Sequence, residues 1–115
     1  MKVLLFLGLF APLTASAQKT EADIQCKYTG AGYVYDCLIR LSRGGKPLAG
    51  VQVTAGADMP SMPMAHNVKP AKAKPGTQPG EYHARLDLER KGEWAIKLRL
   101  SGAVRDQIVK KVRFD

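Results

Sequence analysis

The sequence predicts an all-β domain, an antiparallel β-sandwich of about seven strands. Short segments that alternate between apolar and polar residues recur along the chain, and clusters rich in glycine and proline separate them. No segment sustains the period of an amphipathic helix. There is neither an internal repeat nor a second set of core-forming segments, so we expect one domain.

The first 17 residues have the three parts of a secretory signal peptide. Lys2 supplies a positive start, Val3–Phe10 an apolar centre, and Ala15–Ala17 a small-residue cleavage site. The apolar run is too short to span a bilayer, and no cysteine follows the cleavage site to carry a lipid. We therefore expect a mature domain of residues 18–115 with no transmembrane segment, in a bacterial periplasm or secreted.

The chain is basic. Its 115 residues include 18 lysines and arginines against 10 acidic residues, and loss of Lys2 with the signal peptide leaves a net charge of +7. Export and the absence of aromatic residues interleaved with the basic ones argue against nucleic-acid binding. We expect a solvated basic face, attracted to an anionic membrane surface or to an acidic partner.

Two cysteines, Cys26 and Cys37, fall in the first predicted hairpin, and an even pair in an oxidising compartment predicts a disulfide. A turn at Ala31-Gly32 places them opposite each other at a hydrogen-bonded pair of positions, where Cβ atoms are further apart than at the alternate pair. A longer turn over Thr29–Gly32 is the alternative. A cysteine ligand for blue copper would instead require a free thiolate.

The predicted strands of the first half are Ala22–Tyr28, Tyr33–Leu41 and Gly50–Ala57. Alternation should turn these residues of the first half to the core: Tyr35, Cys37, Ile39, Leu41, Val51 and Val53. Residues 69–80, rich in proline, glycine and lysine, are predicted to form a long basic loop.

The second half adds three strands, Glu81–Glu89, Glu93–Leu100 and Gln107–Phe114. Their expected core residues are Tyr82, Ala84, Leu86, Leu88, Trp94, Ile96, Leu98, Leu100, Ile108, Val109, Val112 and Phe114. Ala95, by the same alternation, should face outward.

Soft donor atoms are concentrated in the Met-rich segment Asp58–His66, which follows the third strand and holds every methionine except the initiator. Thioether and imidazole groups suit copper, above all Cu(I). An extended course over Met62–Val68 would put Met62, Met64 and His66 on one face, with Met59 approaching from the preceding turn. These four residues are the predicted metal ligands. Asp58 is expected to cap the turn.

Two hairpin motifs resemble those of the FixH/YtkA-like domains. They are Gly80-Glu81-Tyr82 and Gly92-Glu93-Trp94, and Pro47–Val51 followed by a Met-Pro-rich segment fits the same pattern. The resemblance covers roughly Tyr35 to Phe114. It implies an immunoglobulin-like sandwich of the cell envelope, similar in architecture to CopC-type copper-resistance domains. It also implies copper handling or the assembly of copper-containing oxidases, with a copper donor or recipient protein as partner.

Other interpretations of the same residues stay open. Met62 and Met64 could be gap-filling core residues, or the segment could be a rigid loop that docks on another envelope protein without metal. His83 is expected to point into solvent, but could join the site if its strand neighbours the segment. Trp94 and Tyr82 are expected in the core rather than around copper. Nothing in the sequence indicates a catalytic constellation or a phosphate loop, so no enzymatic activity is predicted.

Overall fold

A computed structural model of the protein describes residues 19–62 and 67–115. It shows two antiparallel sheets packed face to face, which confirms the predicted all-β sandwich. No helix long and apolar enough to cross a bilayer occurs in those residues. The strands are β1 (Thr20–Tyr28), β2 (Val34–Arg43), β3 (Lys46–Pro47), β4 (Val51–Asp58), β5 (Asn67–Lys72), β6 (Lys74–Pro75), β7 (Glu81–Asp87), β8 (Gly92–Gly102) and β9 (Asp106–Phe114). The predicted signal peptide, residues 1–17, lies outside the described residues.

The first sheet has the strand order β1-β2-β7-β6, with β3 paired to the outer end of β2, and the second has the order β5-β4-β8-β9. Every strand pair is antiparallel. Seven of the strands are long. Six of them correspond to predicted strands, and the seventh, β5, shares only Asn67 and Val68 with the strand predicted over Met62–Val68. The remaining two, β3 and β6, have two residues each.

The core lies between the two sheets and is built from alternate residues of β2, β4, β7 and β8, as predicted. Trp94, Leu88 and Leu98 are fully buried there. One expectation about the core was wrong. Val109 faces outward and is 50% exposed, because it is out of phase with Ile108, Val112 and Phe114 along β9. Ala95 faces outward as expected and lies outside the core cluster, but it is only 5% exposed because it sits between Asp58 and Lys111 of the neighbouring strands.

Half of the predicted basic loop 69–80 is strand, which is a second correction. Its first part completes β5 at the edge of the second sheet, and Lys74–Pro75 forms β6 at the edge of the first. The register of β4 with β5 shifts between Ala55 and Ala57, and Pro70 packs over Gly56 at that bulge. Edge strands and bulges tolerate proline because no ladder hydrogen bond is lost there. The proline, glycine and lysine content of residues 69–80 therefore led to a wrong prediction of a loop.

Cys26 and Cys37 form the predicted disulfide and lie directly opposite each other, with Cα atoms 3.9 Å apart. The hairpin loop is the longer one, since the Thr29 N–H donates to the Val34 carbonyl (3.1 Å) and the Val34 N–H to the Ala31 carbonyl. Hydrogen-bonded and non-hydrogen-bonded pairs alternate along an antiparallel ladder, and Thr29 with Val34 is a hydrogen-bonded pair. Cys26 and Cys37 lie three positions further from the loop, so they form a non-hydrogen-bonded pair, where side chains are closest. The two-residue turn was therefore the wrong alternative.

Candidate functional site

The Met-rich segment begins with a tight turn at the end of β4. The Met62 N–H donates to the Met59 carbonyl at 3.0 Å, which closes a four-residue β-turn with Pro60 and Ser61 at its centre. Proline is favoured at the second position of such turns because its ring already fixes the required φ. The turn therefore has a defined shape set by its own sequence.

Met59 and Met62 have opposite environments, although one hydrogen bond joins them. Met59 is 6% exposed and belongs to the hydrophobic core, where its Cε atom lies against Gly92 at the start of β8. Met62 is 38% exposed. The turn is thus anchored in the core by one methionine and carries the other at the surface.

The other two predicted ligands, Met64 and His66, lie outside the described residues, as does most of the strand predicted over Met62–Val68. β5 begins at Asn67, opposite Asp58 of β4. The alternation of Met62, Met64 and His66 on one face therefore stays a prediction. Within residues 19–62 and 67–115, no three side chains drawn from His, Cys, Asp and Glu form a group that could hold a metal.

Asp58 forms an ion pair rather than the expected turn cap. Its Oδ2 lies 2.7 Å from Nζ of Lys97 on β8, and the carboxylate side chain is 20% exposed. The pair joins the outer faces of β4 and β8 one residue before the turn starts. The pair links the first residue of the Met-rich segment to β8.

The turn lies at the end of the sandwich that also carries the β1–β2 loop and the β7–β8 turn. There the Leu88 N–H donates to the Tyr33 carbonyl at 3.0 Å, and Glu89 adopts a positive φ of 68°. The Trp94 indole N–H donates to the Arg90 carbonyl at 3.1 Å. Trp94 is wholly enclosed, so the prediction that it is a core residue is confirmed.

His83 is exposed on the outer face of the first sheet, as alternation predicted. Its strand, β7, pairs with β2 and β6, whereas the Met-rich segment joins β4 to β5 in the second sheet. His83 was expected to join the site only if its strand were a neighbour of the Met-rich segment. Among the described strand pairs, β7 is not paired with β4 or β5, so this condition is not met.

Near His83 an ion pair dominates the electrostatics. Arg85 Nε donates to Asp36 Oδ1 at 2.8 Å, and Nη2 to Oδ2 at 3.2 Å. The hydrogen bond from Arg85 lowers the pKa of the Asp36 carboxyl, with smaller contributions from the charges of Arg85, His83 and Lys27. The same hydrogen bond raises the pKa of Arg85. Both groups are exposed, and the pair stands apart from the Met-rich turn.

The glycines of the two hairpin motifs have clear structural reasons. Gly80 has φ +84°, and a Cβ there would lie 2.8 Å from the carbonyl oxygen of Leu41. Two residues on, the buried Tyr82 hydroxyl donates to the Leu48 carbonyl at 2.9 Å. Gly92, with φ +132°, leaves room for Met59. The two hairpin motifs were recognised in the sequence, but the contact between Gly92 of the second motif and Met59 of the Met-rich segment was not predicted.

These features define a small β-sandwich domain with one disulfide, two Gly-x-aromatic hairpins and a Met-Pro turn at one end. A family model described as YtkA-like matches residues 15–99, most of the chain, and the protein belongs to this family. The match starts earlier than the sequence motifs suggested and ends before β9, which completes the second sheet. Neither a search of curated proteins nor a search of solved structures gave a significant match.

Proposed function

We propose that this protein binds monovalent copper at its Met-rich segment and carries it between partner proteins of the cell envelope. The observation that supports this most is the Met59–Met62 turn, which holds a partly exposed methionine, Met62, at one end of the sandwich. A soft donor in that position is available to an incoming ion without unfolding any strand. Membership of the YtkA-like family agrees with this proposal.

The proposed ligands are Met62, Met64 and His66, two sulfur atoms and one imidazole nitrogen, a set that suits Cu(I). Met59 was predicted as a fourth ligand. Its burial against Gly92 fits an anchoring role better, because ligation would require its side chain to leave the core. We therefore propose that Met59 holds the turn in place and is not a ligand.

No thiolate takes part, since Cys26 and Cys37 are joined in the disulfide. A site of two thioethers and one imidazole at an exposed edge favours exchange over permanent storage, because few strong ligands surround the ion. The proposed role is accordingly delivery, without catalysis. The disulfide also supports a periplasmic or secreted location, where such bonds persist, and hence removal of residues 1–17.

Titration with Cu(I) against a competing chelator tests the proposal, with ascorbate as the reductant so that the disulfide stays intact. The variant Met62→Leu/Met64→Leu should bind at least about tenfold more weakly, since even outer-shell changes at metal sites cost about 10- to 100-fold. Met59→Leu is the matched control and should keep its affinity, because leucine for methionine conserves core volume. Unchanged affinity in the double variant would refute copper binding at this segment.

The second candidate is a metal-free interaction module, in which the same turn contacts an envelope partner. The exposure of Met62 in a turn that contains Pro60 favours this function. A turn whose backbone is already restricted loses little conformational entropy when it binds a partner. Capture of a partner by wild type in the presence of a copper chelator, lost in Met62→Ser, would support this function. A copper-dependent capture would support delivery instead.

A further inference from the structure

The outer face of the second sheet carries a basic surface. Alternation along β5, β8 and β9 turns five long cationic side chains to this face: Lys72, Lys97, Arg99, Lys111 and Arg113. All five residues are exposed. The acidic residues of the sheet on the same face are Asp58 of β4 and Glu93 of β8, so the balance is strongly positive.

The outer face of the first sheet is different, because opposite charges there nearly cancel. Its acidic residues are Glu21, Asp23, Asp36, Glu81 and Asp87, and its basic residues are Lys27, Arg40, Lys74 and Arg85. Several are paired, Arg85 with Asp36 at 2.8 Å and Arg40 with Glu81 at 3.5 Å. Of the two outer faces, that of the second sheet is therefore the one with a clear excess of positive charge.

Much of the basic surface has no internal partner. Lys97 pairs with Asp58, and Arg113 with Asp115. Lys72, Arg99 and Lys111 form no ion pair with any residue that the structure describes. They lie on three different strands, and β5 and β9 are separated by about 14 Å at the usual strand spacing. The unpaired charges are therefore spread over the face.

An exposed apolar residue lies among these charges. Val109 is 50% exposed and is the cross-strand partner of Lys97, with Lys111 two residues further along β9 on the same side. Between these cations the outward side chains at Thr54 and Gly56 of β4 and at Ala95 of β8 are short. Long cations and one projecting apolar group, set among short side chains, suit a fluid anionic surface whose charges can rearrange to meet them.

We propose that this face docks the domain on a bilayer containing anionic phospholipids. Lipid headgroups can rearrange beneath charges that are spread over three strands, whereas an acidic protein would need carboxylates at matching fixed positions. Val109 would enter the headgroup layer. The proposal is independent of copper, because its residues lie on the face of the second sheet and the Met-rich turn lies at its end.

Flotation with phosphatidylcholine vesicles, with and without phosphatidylglycerol, tests the proposal. Wild type should float only with the anionic vesicles, and salt should weaken the association. Lys72→Gln/Arg99→Gln/Lys111→Gln should bind about 100-fold more weakly, since each charge near an anionic surface contributes about a fivefold factor. The matched control, Lys27→Gln/Arg40→Gln/Lys74→Gln, removes the same charge from the first sheet and should bind like wild type.

All three proteins carry the same N-terminal residues, so any contribution of residues 1–17 cancels in the comparison. Circular dichroism of each variant confirms that the sandwich is intact. Equal losses in both triple variants would overturn the proposal by showing that only net charge matters. Vesicle binding that is unchanged in the second-sheet variant, with loss of binding to soluble polyglutamate, would overturn it in favour of an acidic protein partner.

Discussion

The Cε atom of Met59 lies 2.8 Å from the point that a Cβ atom on residue 92 would occupy, and Gly92 itself has φ +132°. The methionine that starts the Met-rich turn is therefore seated on the glycine of the Gly-x-Trp hairpin. Two features that are 33 positions apart in the sequence form one contact. The contact explains how a surface turn is tied to the core.

Gly92→Ala should destabilise the protein by about 1–3 kcal/mol, because alanine is strained at this φ and its methyl group displaces Met59. Urea unfolding measures the change. In the double variant Met59→Leu/Gly92→Ala part of the loss should be recovered, since leucine lacks the terminal methyl that clashes. Strict additivity of the two substitutions would show that the contact carries no energy.

Gly80→Ala should destabilise more than Gly45→Ala. The two glycines have nearly equal φ, +84° and +80°, so the conformational strain is matched. A Cβ at position 80 meets the Leu41 carbonyl oxygen at 2.8 Å and Pro47 Cβ at 3.0 Å, whereas nothing lies within 4 Å at position 45. Backbone atoms cannot move aside cheaply, so we expect an extra cost of about 1–3 kcal/mol in urea unfolding. Equal costs would disprove the steric explanation.

Removal of the disulfide by Cys26→Ala/Cys37→Ala should lower the free energy of unfolding by about 2–3 kcal/mol, because the bond closes a short loop and restricts the unfolded chain. Chemical denaturation measures the loss. The control is wild type with the bond reduced and alkylated, which should be destabilised at least as much. Two alkylatable thiols in protein recovered without reductant would contradict the bond itself.

Arg85→Gln should raise the pKa of Asp36 towards its ordinary value of 3.8, since the Arg85 hydrogen bond is the main cause of its lowering. The folded-state pKa lies below the unfolded one, so the pair stabilises the fold above pH 3.8 and loses this effect as the pH falls through the folded pKa. NMR titration of the Asp36 carboxyl measures the shift. Arg99→Gln, on the other sheet, is the control and should leave that pKa unchanged.

Strands that have one buried and one solvated face were predictable from sequence, because apolar and polar residues alternate along them. The ends of β2, β7 and β8 were predicted to within two residues, and the pairing of Cys26 with Cys37 was predicted correctly. The edge strands β5 and β6 were harder to predict than the edge strands β1 and β9. β5 and β6 contain Pro70 and Pro75 among lysines, which is the composition of a loop and also of a protected sheet edge.

The candidate site was only partly predictable, since a list of donor atoms does not say which of them reach solvent. Met59 and Met62 were both predicted to be metal ligands, yet one fills the core and the other is exposed. The difference depends on Gly92, a residue of another hairpin, and no local rule connects the two. A basic face was expected from the net charge, but its position in the fold could not be predicted, for the same reason. Its charges are scattered in sequence and meet only when β5, β8 and β9 are side by side.

The disulfide also determines how the domain would respond to a mechanical load. Thr20, the first residue of β1, pairs with Arg43 at the end of the sandwich opposite the Met-rich turn. Tension applied at the N-terminus would unzip β1 from Thr20 one hydrogen bond at a time and stop at Cys26, where the covalent link to Cys37 transfers the force to β2. The hairpin tip, from Cys26 to Cys37, would therefore keep its shape while the first strand peels.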